Sequence, residues 1–166
     1  MITDLAFCKK IFLFQDLDEP EIRQVLDLAA PRTFPAGSVI IQEGAPGDSM
    51  FIMCAGEVEI TKRLTLELQE DTPKERVMIR LKAEDGVCFG EMALLENEVR
   101  SATVTARTEC HLLELKGEEF LKLIHHDSKM GAKILLRLAQ QLSGYLRKAN
   151  QDLVKVTTAL AIALGG

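Results

Sequence analysis

Between Pro31 and Leu115 the chain offers six short β-branched or apolar runs, and turn residues interrupt them about every ten positions. The runs are "SVIIQ" at 38–42, "SMFIMC" at 49–54, "EVEITK" at 57–62, "RVMIRL" at 76–81, "SATVTA" at 101–106 and "CHLLEL" at 110–115. Ala36-Gly37, "EGAPGD" at 43–48, Ala55-Gly56 and Asp85-Gly86 stand between them. Many short strands with evenly spaced turns specify an all-β sandwich or barrel, because each strand must bury one face against another sheet. The polar segment between the third and fourth runs, 63–76, reads as a protruding hairpin.

Helical periodicity frames this β region. The first thirty residues read as helix. In "DEPEIRQVLDLAA", Asp18 precedes Glu21 by three positions, the spacing of a capping box, and Pro20 sits in the first turn. After Lys116 comes a short helix, "GEEFLKLIHH". From Ser128 toward Leu164 a long pattern runs without proline. Leu135, Leu138, Leu142, Leu146, Ala149, Leu153, Val156 and Leu160 recur there at 3-4 spacing. At about 1.5 Å per residue such a helix outreaches one small β-domain, so part of its stripe needs another partner. A second copy of the chain is the economical choice. The expected fold is α+β and mainly β: an antiparallel jelly-roll β-barrel with N-terminal helices over 1–127, and a long C-terminal lid and dimerisation helix over 128–166.

The overall charge of −5 argues against general affinity for nucleic acid. The charge is uneven, with six basic residues against one acid from residue 128 onward and fourteen against twenty-four before it. Cys8, Cys54, Cys88 and Cys110 are widely spaced and form no C-x-x-C pair, which points to buried free thiols in a reducing compartment. No signal peptide and no membrane-spanning run is evident, so the expected location is cytoplasmic. The three histidines, His111, His125 and His126, do not make a metal constellation, and no nucleophile motif is present. Neither an enzyme nor a metal site is expected.

The stretch with chemical content is "FGEMALLENEVRSATVTA", residues 89–106. A short helix starting near Glu91 leaves its first N–H groups available to an anion. Gly90 permits close approach of a ligand to the backbone, and Ala93 is too small to obstruct it. Arg100 can offer two parallel N–H donors to a phosphate, and Ser101 adds a hydroxyl. Glu91 repels a phosphate but can accept from a sugar hydroxyl. Together these groups suit a nucleotide. Each residue alone also fits a surface ion pair or a helix cap.

"FGEMALLENEVRSATV" closely resembles the phosphate-binding cassette of cyclic nucleotide-binding domains, whose pattern is F-G-E-x-A-L-L, a variable turn, then R-[STA]-A-[TS]-V. "FPAGSVIIQEGAPGDSMFIMCAGEVEI" resembles that family's first hairpins, and "CHLLELKGEEFLKLI" its closing strand and helix; the likeness runs over roughly residues 11 to 150. The resemblance implies that Phe89, Gly90, Glu91, Met92, Ala93, Arg100, Ser101 and Ala102 form the nucleotide site. Arg100 would pair with the cyclic phosphate and Glu91 with the ribose 2′-hydroxyl, while Asn150 from the long helix would cover the base. The ligand implied is cAMP, with cGMP as the alternative. Only about sixteen residues follow Asn150, too few for a winged helix-turn-helix. The paired nucleotide domains of kinase regulatory subunits and the membrane helices of channels are also not seen. The expectation is a stand-alone sensor that starts at Met1 and binds neither DNA nor membrane. It would act through a homodimer or an unknown protein partner. Two other readings stay open: an interaction module that keeps the fold without a ligand, and a metal-dependent β-roll enzyme.

Overall fold

The computed structural model describes residues 5–63, 75–96 and 99–165. The hairpin expected over 63–76 lies largely outside these residues. The strands are β1 (Ala30–Phe34), β2 (Val39–Ile41), β3 (Ser49–Ala55), β4 (Glu57–Arg63), β5 (Glu75–Lys82), β6 (Cys88–Phe89), β7 (Thr103–Ala106) and β8 (Cys110–Lys116). They form two four-stranded antiparallel sheets that face each other, with strand orders β1-β8-β3-β6 and β2-β7-β4-β5. The helices are α1 (Leu5–Cys8), α2 (Glu19–Leu28), α3 (Glu91–Glu96), α4 (Gly117–His126) and α5 (Ser128–Leu164). This is the expected jelly roll with helices at both ends.

Every run quoted above carries a strand, but two strands escape the pattern. β1 opens inside the stretch expected to be helical, and its Ala-Pro-Arg-Thr-Phe has neither alternation nor an apolar run. It is tolerated because β1 lies at the edge of its sheet, where the N–H that Pro31 lacks is not needed. β6 has only two residues and is too short to show a period. The N-terminal thirty residues are accordingly not one helical block: α1, a 3-10 turn at Phe12–Phe14, α2 and then β1. α2 does begin with a full capping box, Asp18 Oδ1 accepting from Glu21 N at 2.9 Å and Glu21 Oε2 from Asp18 N at 2.7 Å.

β3 explains why one run is apolar on both faces. Met50 and Ile52 pack toward the helices with Leu115, Phe120 and Ile134. Phe51 and Met53 point the other way, into the space between the sheets, with Val58, Phe89, Val104 and Leu112. Phe51 stacks on Phe89 at 5.5 Å between ring centroids. Successive side chains of a strand alternate faces, so a central strand sandwiched between two cores must be apolar throughout.

α5 is a single helix of 37 residues, about 55 Å long. Only its first third is rooted. Met130, Ile134 and Leu138 are buried at 0–1% exposure. This inner face differs from the leucine stripe read from the sequence, of which Leu138 alone is fully buried; Leu135 is 40% exposed. Lys133 Nζ donates to both carboxylate oxygens of Glu21 at 2.7 Å. Arg137 makes two 2.6 Å bonds to Asp16 and lies over the Phe12 ring. Two of the helix's basic residues therefore neutralise acids of the N-terminal region. From Tyr145 onward every described residue is exposed, including Leu146, Leu153, Val156 and Leu160.

Candidate functional site

A cavity of about 370 Å³ opens between the β2-β7-β4-β5 sheet, α3 and the middle of α5. That volume lies within the range of small-molecule sites, about 300–1,000 Å³. Ile60, Ile79, Leu81 and Val104 supply an apolar floor. Eight of the nine residues singled out in the sequence line it: Phe89, Gly90, Glu91, Met92, Ala93, Arg100, Ser101 and Ala102.

Asn150 is not among them. α5 presents Tyr145, Lys148, Ala149 and Asp152 to the cavity, which share one face at i, i+3, i+4 and i+7. Asn150 follows Ala149 by one residue and is turned about 100° around the helix, away from the opening. The chain's single tyrosine is the feature to which the sequence reading gave no role. Tyr145 lies one turn before Ala149 of the periodic stripe, and that spacing could have found it. Its hydroxyl accepts from Gln141 Nε2 at 2.7 Å, and burial pushes its pKa upward.

Arg100 sits where three segments meet. Its backbone is pinned to the 43–48 turn, with Arg100 N donating to Ala45 O at 2.8 Å and Gly44 N to Arg100 O at 2.9 Å. Its side chain is buried, at 9% exposure. Nη1 donates to Ser49 O at 2.6 Å and to Gly90 O at 3.3 Å, and Nη2 donates to Ser49 Oγ at 3.2 Å. Two glycines shape this slot. A Cβ on Gly47 would stand 1.9 Å from Arg100 Nε, and one on Gly90 would stand 2.9 Å from Nη1. Gly90 also adopts φ +84°, a conformation that disfavours any side chain.

A guanidinium has five N–H groups, and three are spent on these acceptors. Ser49 accepts from both Nη atoms, so its two oxygens face the end of the planar group. The side edge, Nε–H with the outer Nη2–H, takes no partner among the described residues. That edge is the geometry which binds a phosphate with two parallel hydrogen bonds. Burial lowers the Arg100 pKa, and the nearby Asp48 and Glu114 carboxylates oppose that shift.

Glu91 opens α3 and is 7% exposed. Burial raises its pKa, against the pull of its own backbone N–H. It makes no ion pair within 4 Å among the described residues, and neither does Arg100. The third buried charged residue, Glu21, has Lys133 as its partner. Besides the exposed Lys148 and Asp152 of α5, the cavity thus holds one buried cation and one buried carboxylate, neither in an ion pair among the described residues. Burying a charge without a partner is costly, so such an arrangement fits a ligand that supplies both. At the mouth Ser101 Oγ lies 3.8 Å from Met92 Sδ, and Met92 is half-exposed. Cys88, behind Glu91, is a buried thiol pushed up to about 12 by burial and by that carboxylate. Among the described residues no group of three or more His, Cys, Asp or Glu could hold a metal ion. No helix among them is long and apolar enough to cross a membrane.

The model of the cyclic nucleotide-binding domain family matches residues 31–127. A cyclic nucleotide-gated potassium channel of Mesorhizobium japonicum is 34% identical over 80% of this chain and 33% of its own length. A cAMP-dependent protein kinase regulatory subunit of Aspergillus fumigatus is 32% identical over 72% of this chain and 26% of its own. The chain therefore spans about a third or less of these relatives. Among solved structures, the catabolite activator protein of Thermus thermophilus superposes with a TM-score of 0.75 at 28% identity, covering 88% of this chain and 63% of that one. With the family model spanning more than half of the chain, and the same stretch carrying the cavity, the buried arginine and the buried glutamate, this protein belongs to the cyclic nucleotide-binding domain family.

Proposed function

We propose that this chain is a non-enzymatic receptor for a cyclic purine nucleotide, with cAMP as the ligand. The observation that carries the reading is the pair of separately buried charges, Arg100 and Glu91, facing one cavity with no ion partner among the described residues. Arg100 takes the cyclic phosphate on its free edge. Glu91 accepts a hydrogen bond from the ribose 2′-hydroxyl, while Ser101 bonds to the phosphate or the base. The apolar floor and the Tyr145–Ala149 face of α5 enclose the base. The carboxylate of Asp152 can accept from an exocyclic base amine, which adenine and guanine both carry, so cGMP is the competitor to test against.

The output follows from the uneven anchoring of α5. Its first third is locked to the core and to Glu21 and Asp16, whereas the part from Tyr145 onward rests on little besides the cavity rim. A ligand touching both the cassette and α5 shifts the equilibrium between helix arrangements by its differential contact with them. The exposed Leu146, Leu153, Val156 and Leu160 suit pairing with a second copy, so the two helices would report ligand through dimer geometry. Residues 128–166 then act as lid and dimerisation element for the 1–127 roll, in the cytoplasm.

Glu91→Gln tests the ribose contact. The substitution is expected to weaken cAMP about tenfold, the scale of one hydrogen bond to a charged group. It should change affinity for 2′-deoxy-cAMP much less, as read by calorimetric titration of both ligands. Equal losses for the two would assign Glu91 another task.

A further inference from the structure

We infer that Ser49 and Glu114 are positioning residues for Arg100, forming a hydrogen-bonded relay that crosses a whole sheet from its surface edge to the anion site. The inference rests on the reading of Arg100 as the phosphate-binding group. Arg32 Nε, on edge strand β1, donates to Glu114 Oε2 at 2.7 Å. Glu114, on β8, accepts at its other oxygen, Oε1, from Ser49 Oγ at 3.0 Å. Ser49, at the start of β3, accepts at Oγ from Arg100 Nη2 and at its carbonyl from Nη1. Gly90, directly after β6, closes the row with its carbonyl on Nη1. The order of groups, β1, β8, β3 and then the end of β6, is the order of strands in the sheet.

The direction of the relay follows from donor chemistry. An ionised carboxylate only accepts, so the Ser49 hydroxyl must turn its proton toward Glu114. Its lone pairs are then left for Arg100, and a hydroxyl already donating to an anion is the better acceptor. Glu114 is suited to stay ionised. Burial pushes its pKa up, but the hydrogen bonds from Arg32 and Ser49 more than reverse this. The Glu114 side chain is 15% exposed and the Arg32 side chain 51%, so the relay begins in solvent and ends in a buried slot. Its consequence is orientation. Both oxygens of Ser49 occupy the end of the guanidinium, which leaves the side edge unspent for an anion.

The test uses the full chain and the variants Ser49→Ala, Ser49→Thr and Glu114→Gln. Two readouts are taken: cAMP affinity by calorimetry, and the Arg100 side-chain Nε–H resonance by NMR without ligand. Ser49→Ala and Glu114→Gln should each weaken cAMP about tenfold, and Ser49→Thr, which keeps the hydroxyl, should restore affinity to within about threefold of the parent. Both disruptive variants should shift the Nε–H resonance, and Glu114→Gln should have no further effect on affinity in an Arg100→Lys background. Unchanged affinity in Ser49→Ala, or the same Glu114→Gln penalty in both backgrounds, overturns the relay. If the parent chain binds no cyclic nucleotide, the proposed function falls. The resonance then decides the relay separately: a shift in Glu114→Gln supports it and an unmoved signal overturns it.

Discussion

Arg100→Ala is expected to weaken cyclic nucleotide binding by roughly 2–5 kcal/mol, the usual scale for removing one partner of a buried charge pair. That corresponds to a loss of roughly 30-fold to a few thousandfold in affinity. The size of the effect comes from the setting more than from the arginine itself. At 9% exposure the guanidinium has little water to fall back on, and its unspent side edge is the only part free to meet a phosphate. With alanine the phosphate would enter a partly dry slot with no counter-charge. The fold should suffer much less. The variant frees two carbonyls, Ser49 O and Gly90 O, but it also removes the cost of burying a cation. Calorimetry together with a thermal melt separates the two effects. Undiminished affinity in a folded variant would remove Arg100 from the site.

Gly56→Ala should damage the fold severely, costing about 2–6 kcal/mol of unfolding free energy. Gly56 joins β3 to β4 with no residue to spare, at φ +97°. A Cβ there would stand 2.5 Å from Glu109 O, 2.7 Å from Cys110 Sγ and 3.0 Å from Cys110 Cα. Cys110 is wholly buried between the sheets, and its thiol is hydrogen-bonded to Glu57 O at 3.4 Å. The methyl therefore meets backbone and core, which cannot step aside, as well as a strained φ. Gly44→Ala is the control. It has φ +80° but nothing within 4 Å of the added atom, so only the backbone cost applies, about 1–2 kcal/mol. Denaturant unfolding of both variants measures the difference. Equal losses would show that crowding at Glu109 and Cys110 does not matter.

What could be read from the sequence depended on whether the information was local. The cassette is one continuous stretch, so Gly90, Glu91, Arg100 and Ser101 could be picked out together. Gly47, Ser49 and Glu114 were not recognised as partners of Arg100, because strand pairing brings them there from far along the chain. The strands with apolar runs were visible in the same local sense. β1 was not, since an edge strand can use Pro31 and Arg32 without penalty. On α5 the period was clear but the rotation was not. The leucines mark one stripe, but apolar residues flank it, and packing against α4 and the 3-10 turn at Phe12–Phe14 selected Met130, Ile134 and Leu138 as the inner face. Asn150 came from the resemblance alone, and the α5 residues that line the cavity are Tyr145, Lys148, Ala149 and Asp152. The basic bias of this helix was equally open in sequence, because only the packed fold shows that Lys133 and Arg137 are spent on Glu21 and Asp16.

Calorimetric titration of the purified chain with cAMP, cGMP and linear AMP is the most direct measurement. Micromolar binding of cAMP, with cGMP weaker and linear AMP much weaker, is the expected result. No binding of any of the three, in folded protein free of carried-over nucleotide, would contradict the receptor reading and leave the buried Arg100 and Glu91 without their ligand.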